Sequence, residues 1–316
     1  MSPGGKTGAM PAPRGRIFFL FLDGVGIGRD DGRENPFFSV RLPGFEALLG
    51  GPMVSLGAAS RSNGHSSVRP LDATLGIGGL PQSGTGQTAI LTGENAARII
   101  GRHFGPFPHS GLRALLAEKN IFSRLGGLGL RTMYINAFPG QYLDHLKRHP
   151  ARTGAISLAW RSNGRPLNGC TELISGRALS ADCTSEGWGR LGYPEVPVVT
   201  PEEAAGAALS VLADHEFVLF EYYLTDHAGH GRSRREAAAI LSTLDRFVGR
   251  FVRDMDPSRD TLILTSDHGN FEDLSTKQHT LNPVPFVSAG LGHDRLARSV
   301  RDLTGILPTI LEYFSA

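Results

Sequence analysis

The chain has 316 residues, a formal net charge of +2, 40% hydrophobic and 20% charged residues, and two cysteines. With 41 glycines and 20 prolines it is loop-rich, yet below the roughly 25–30% glycine plus proline of a low-complexity chain. That composition excludes a disordered chain, a collagen-like repeat and a disulfide-stapled scaffold. The length fits one large domain or a core with a small second one.

In chain order, residues 1–14 read as a flexible tail without the apolar stretch of a signal peptide, and Met10 offers an alternative start. The first strand is predicted at 17–22, and further strands at 132–136, 217–221 and 261–265. Each is a short apolar run followed at once by polar residues or glycine, the pattern of strands buried on both faces. Helices are predicted from 88 onward and over 112–125, 201–213 and 234–254. The third begins after Thr200, a good N-cap, with Pro201 at the first position and Glu202 and Glu203 in the first turn. The alternation points to an α/β fold with a doubly wound, mainly parallel sheet. Residues 139–199 break the rhythm and hold both tryptophans and both cysteines. They read as a small inserted cap between core segments 15–138 and 200–316.

Nothing approaches the ~18 apolar residues that span a bilayer, and no basic run of five or more marks a nucleic-acid footprint. The expectation is a cytoplasmic protein with neither nucleic-acid nor membrane partner. Cys170 and Cys183 lack CxxC spacing and are expected to be reduced.

Four strand ends or turns present metal-type ligands. In FLFLDGVGIG a strand runs into Asp23. Its glycines are spaced GxGxG, and no apolar helix follows, so a dinucleotide loop is disfavoured. In GLPQSGTGQTAILTG, Ser83 stands just before a helical stretch that begins near Thr88, close to a helix N-terminus, where backbone N–H groups favour an anion. A metal there would hold Ser83 as an alkoxide able to attack phosphorus; Thr85 is the rival nucleophile. In YYLTDHAGHG, Asp226 and His230 are spaced i, i+4, so one helical turn presents both to one cation, with His227 offset. In TLILTSDHGNFEDLSTKQHTLNPVPF, Asp267 and His268 follow a strand directly, and His279 precedes NPVP, read as a rigid turn. Carboxyl ends of parallel strands meet at one edge of a doubly wound sheet, so these residues can converge. Three carboxylates and three imidazoles suffice for two divalent ions, and mixed oxygen and nitrogen donors favour Mn²⁺ or Zn²⁺.

The pieces LDGVGIG, QSGTGQ, TDHAGH, SDHGN and HTLNPVP, in that order, resemble the alkaline phosphatase superfamily of metalloenzymes, and within it the cofactor-independent phosphoglycerate mutase and phosphopentomutase branch. The resemblance implies an alkaline phosphatase-like core. It makes Ser83 the nucleophile that becomes phosphorylated, one metal being held by Asp23, Ser83, Asp267 and His268 and a second by Asp226, His230 and His279. Gln87 replaces the final histidine of the mutase pattern S/T-x-x-G-H. Neither cysteine lies in the C-x-P-S-R motif of the sulfatases. The cap, at about 60 residues, is much shorter than in these mutases, so the chemistry carries over better than the substrate.

The expected activity is two-metal phosphoryl transfer on a small phosphorylated metabolite through phosphoserine. Hydrolysis is favoured slightly over a phosphomutase reaction, because a mutase must exclude water. A non-catalytic metal- or phosphate-binding protein is the further alternative. Arg102, His103 and Lys277 are candidate substrate contacts from their nearness in sequence to the motifs. Cap arginines Arg148, Arg152, Arg161 and Arg165 could close over the substrate.

Overall fold

The computed structural model describes residues 15–58, 60–231 and 233–315; the expected tail at 1–14 lies outside them. The strands are β1 (Arg16–Leu22), β2 (Arg61–Ser62), β3 (Ser66–Leu71), β4 (Thr132–Tyr134), β5 (Phe217–Tyr222), β6 (Asp260–Thr265) and β7 (Val284–Gly290). They form one sheet in the order β2-β3-β7-β6-β1-β5-β4. The four strands β6, β1, β5 and β4 run parallel. On the other side, β7, β3 and β2 pair antiparallel, so the sheet is mixed.

The continuous apolar runs follow from burial on both faces. Alternate residues of β1 enter two different cores: Phe18, Leu20 and Leu22 in one, Ile17, Phe19 and Phe21 in the other. Helices Pro201–Ala213 and Arg234–Asp254 cover the first face, and helices Ser83–Thr92, Ile121–Gly127 and Ile306–Ser315 the second. Each phenylalanine buried this way contributes about 1.5–3 kcal/mol of apolar transfer. The Ala155–Arg161 helix, inside the segment read as a cap, contributes Ala155, Ile156, Ala159 and Trp160 to the second core. Cys170 and Cys183 are both unpaired.

Helices 201–213 and 234–254 fall where the sequence places them. Thr200 and Glu203 form a reciprocal capping box at the first, each side chain meeting the other's backbone N–H. Three expectations are corrected. The run 112–125 is two helices, Ser110–Glu118 and Ile121–Gly127, because Asn120 caps the second by accepting from the Ser123 N–H at 3.0 Å. The helix expected near Thr88 starts at Ser83. The NPVP turn is only half a turn, since Val284 and Pro285 begin β7, where Pro285 faces Pro70. Two prolines cannot exchange ladder bonds, so they occupy a pair of the non-hydrogen-bonded kind.

Candidate metal centre and active site

The site grows from three adjacent parallel strands. Phe21 of β1 lies opposite Thr265 of β6, so Asp23 and Asp267, each two residues further on, leave the sheet at the same level. Leu22 lies opposite Tyr222 of β5, and the Leu224–Gly231 helix that follows carries Asp226 and His230. Parallel strands thus deliver their functional residues to one edge of the sheet. The Ser83–Thr92 helix arrives from the side. Its glycines permit that approach: a Cβ on Gly86 would sit 2.7 Å from the Asp267 carbonyl oxygen, and one on Gly84 would sit 2.4 Å from that of Phe107.

The expected ligands fall into two groups. In the first, Asp23, Asp267 and His268 are all buried and offer ligand atoms within 4.8 Å of one another. His268 Nε2 lies 3.3 Å from Asp23 Oδ1 and 2.9 Å from Ser83 Oγ. Gln87 Nε2 donates to Asp267 Oδ2 at 3.0 Å and to Asp23 Oδ2 at 3.3 Å. Burial and then the neighbouring Asp267 push Asp23 well above the usual carboxylate range. Burial works against a charged His268 ring, but Asp267 and Asp23 outweigh it and push the ring up to about 10. Asp23 Oδ1 is buried without a hydrogen-bond partner. An orphaned carboxylate oxygen inside such a concentration of negative charge fits a cation.

The second group is Asp226, His230 and His279. His230 Nδ1 meets the Lys277 carbonyl at 2.7 Å and His279 Nδ1 meets the Pro81 carbonyl at 2.7 Å. Carbonyls only accept, so both Nδ1 atoms carry protons and both rings offer Nε2. The two Nε2 atoms face each other at 3.3 Å, and Asp226 oxygens lie 3.4 Å from one and 3.7 Å from the other. Burial, then the nearby His268, lowers the pKa of His279. Converging imidazole nitrogens and a carboxylate make a donor set suited to a divalent ion. The groups abut, the rings of His268 and His279 stacking with centroids 3.7 Å apart.

With this geometry in view, comparison with known proteins places the chain. Residues 193–316 match the metalloenzyme superfamily model. The match covers the carboxyl-terminal part of the chain. The fold of the chain is that of the alkaline phosphatases: it is similar to alkaline phosphatase of the Antarctic bacterium TAB5 (TM-score 0.53, 12% identity, 96% of this chain and 98% of that one). It is also similar to the PH0037 protein of Pyrococcus horikoshii (TM-score 0.56, 14% identity, 96% and 98%). In sequence it resembles the 2,3-bisphosphoglycerate-independent phosphoglycerate mutase of Moorella thermoacetica, 33% identical over 129 residues, or 38% of this chain and 25% of that protein. The chain thus spans about a quarter of the length of the curated relatives it matches.

The remaining candidates separate by where the fold puts them. Ser83 lines two cavities, an inner one of about 590 Å³ and an outer one of about 460 Å³. Lys277 lines the outer cavity with His230 and His279. Arg102 and His103 line neither: the Arg102 guanidinium lies 5.6 Å over the Phe104 ring, and His103 Nε2 meets the Ile77 carbonyl at 3.2 Å. The chain returns to the N-terminus of the Ser83 helix at Phe104, whose N–H meets Thr85, but these two side chains are engaged outside both cavities. The Thr85 hydroxyl donates to the Gln82 carbonyl at 3.0 Å and accepts from the Phe104 N–H at 3.3 Å, so it is turned from the ligands. His227 is exposed and borders the inner cavity. Arg165 packs its guanidinium over Trp160 and donates to the Thr132 carbonyl, away from the cavities.

Three supporting residues escaped the sequence reading. Buried Glu272 accepts from the backbone N–H groups of Gly26 and Asn270, each at 2.8 Å, and from the Asn282 side chain at 3.0 Å and the Thr280 hydroxyl. It therefore ties the three loops that carry the ligands. Asn270 Nδ2 donates to Asp226 Oδ1 at 2.8 Å and fixes that carboxylate. Glu221, the exit residue of β5, borders the inner cavity and accepts from the Tyr134 hydroxyl. FED, SDHGN and FEYY contain these three, but only the fold shows what each one holds.

Proposed function

We propose that this protein transfers a phosphoryl group from a small phosphate monoester to Ser83 and then to water. The observation that carries the reading is the position of Ser83 Oγ: it lies 2.9 Å from His268 Nε2, at the N-terminus of a buried helix, and borders both cavities. Asp23, Ser83, Asp267 and His268 would hold one divalent ion and Asp226, His230 and His279 a second, Mn²⁺ or Zn²⁺ suiting these donors. Such ions neutralise charge on a transferring phosphoryl group and lower the pKa of a bound hydroxyl.

The chain's own groups do the rest. The helix N-terminus offers N–H groups to the phosphate oxygens. Gln87 holds Asp23 and Asp267 in register, and Lys277 presents its ammonium to the outer cavity, where phosphate oxygens would lie. Attack by Ser83 forms the Oγ–P bond and expels the alcohol; water attack on phosphoserine then releases phosphate and restores Ser83. Residues 139–199 act as a small cap, Tyr142, Trp188 and Leu191 roofing the inner cavity.

The phosphomutase alternative draws on the mutase relatives, which match 38% of the chain. It requires the dephosphorylated intermediate to stay bound while water is excluded. The outer cavity, which leads from Ser83 past exposed His230 and Lys277, favours hydrolysis instead. Incubating Mn²⁺-loaded protein with a phosphate donor and measuring intact mass tests the shared step. One added phosphate is expected in wild type and none in Ser83→Ala; equal labelling of both removes Ser83 from the reaction. Phosphorus NMR of the same mixture separates released phosphate from a shifted ester.

A further inference from the structure

The inner cavity beside Ser83 has a chemistry that the sequence did not advertise. Its wall beyond the ligands is rich in rings: Phe107, Phe138, Tyr142, Trp188 and Tyr223, with Leu191 beside them. Phe138 and Tyr142 are stacked, with ring centroids 5.2 Å apart and planes 20° from parallel. Its ionisable lining, the exposed His227 imidazole aside, is acidic. Asp182 and Glu221 border it in addition to Asp23 and Asp226, and among the described residues no arginine or lysine does.

The acidic groups are held in place. The Asp182 carboxylate accepts from the backbone N–H groups of Thr184, Ser185 and Gly187 at 3.1, 2.8 and 3.3 Å. Glu221 accepts from the buried Tyr134 hydroxyl. The arginines of the cap point elsewhere. Arg165 is committed to Trp160 and Thr132, Arg161 borders a separate surface cleft, and Arg148, Arg152, Arg177 and Arg190 are exposed and do not line the cavity. A substrate carboxylate entering this cavity would find no arginine or lysine and, in Asp182, an added like charge, which is repulsion inside a partly desolvated space. A ring would find offset and edge-on aromatic partners.

We propose that this cavity selects phosphate monoesters whose leaving alcohol is ring-bearing and carries no negative charge, the ring lying against Tyr142, Phe138 and Trp188. The proposal rests on the phosphoryl-transfer reading for the identity of the reacting group, and on the cavity lining alone for the selectivity. It sets this chain apart from an enzyme acting on a carboxylate-bearing ester, whatever the shared core chemistry.

Two measurements keep the selectivity and the chemistry separate. In the first, phenyl phosphate and 3-phosphoglycerate are titrated calorimetrically into Mn²⁺-loaded Ser83→Ala protein, which binds without transfer. Phenyl phosphate is expected to bind at least tenfold more tightly, and Tyr142→Ala added to that protein to reduce the ratio severalfold. Equal binding, tighter 3-phosphoglycerate or no binding of phenyl phosphate overturns the proposal, and a ratio unchanged by Tyr142→Ala overturns the assigned ring position. In the second, kcat/KM is measured for both esters with Mn²⁺-loaded wild type, which does not depend on the folding of either variant. A preference for phenyl phosphate of tenfold or more is expected, and a preference for 3-phosphoglycerate overturns the proposal. Selective binding without turnover of either ester would leave the selectivity standing and remove the transfer reading.

Discussion

Ser83 Oγ and His268 Nε2 lie 2.9 Å apart although 185 residues separate them in the chain. The contact exists because the Ser83 helix and the loop after β6 touch backbone to backbone at Gly86 and Asp267. In Gly86→Ala the new methyl would meet the Asp267 carbonyl at 2.7 Å, so the helix must shift. A displacement of ~1 Å costs on the order of 10²-fold in rate, and overpacking costs ~1–3 kcal/mol. Phosphatase assays and urea unfolding of the same variant should show both losses, the rate suffering more. Unchanged kcat/KM would mean that the helix position does not govern the reaction.

Gln87 occupies a place that a ligand could fill, yet its amide donates to both Asp23 and Asp267. Loss of a group that orients metal ligands typically costs 10–100-fold in affinity. Gln87→Leu should weaken Mn²⁺ binding by about that factor at the Asp23 group, measured by calorimetry on protein stripped with a chelator. For the wild type, saturating Mn²⁺ at ~100 times Kd adds about 2.7 kcal/mol per site, so Tm should rise by several degrees on metal addition and fall again with chelator.

Glu272 is the knot between the Gly26, Asn270 and Thr280 loops. Glu272→Ala leaves two buried backbone N–H groups and a half-buried hydroxyl without their acceptor, each buried group worth ~1–3 kcal/mol. Destabilisation of at least ~3 kcal/mol is expected in denaturant unfolding, together with weaker metal binding. Glu272→Gln should recover part of both, because its amide oxygen still accepts. Equal stability of Glu272→Ala and wild type would contradict the assigned role.

Burial pushes the Glu221 carboxyl up to about 7, opposed by the hydrogen bond from Tyr134 and reinforced by Asp267. The native state therefore holds a proton that the unfolded chain gives up near pH 4.5. Native protein binds more protons in that interval, so stability falls as pH rises from about 4.5 to about 7 and then levels off. Glu221→Gln removes this decline. Metal-free Glu221→Gln should match wild type near pH 4.5 and exceed it by ~2–3 kcal/mol above pH 7, read from urea midpoints across the range. A constant difference across pH would show that Glu221 ionises normally.

The α/β class, the helices 201–213 and 234–254, and the candidate ligand residues were legible in the sequence. Those features are local: apolar runs, a capping box, and Asp or His residues set immediately after strands. The antiparallel β7–β3–β2 edge escaped because NPVP read as a turn and proline cannot donate to a ladder, so only the partner strand reveals a pairing that sets Pro285 opposite Pro70. The start of the Ser83 helix escaped because its glycines answer to Asp267 and Phe107, not to helix propensity. Tertiary packing alone brings Asp23, Asp267 and His268 together with Asp226, His230 and His279 beside them, leaves Arg102 and His103 off both cavity linings, and makes the cavity wall aromatic and acidic. Propensity and spacing act over a few residues along the chain, whereas a site is an agreement among segments up to 246 residues apart, as between Gly26 and Glu272, which strand order and close packing bring together.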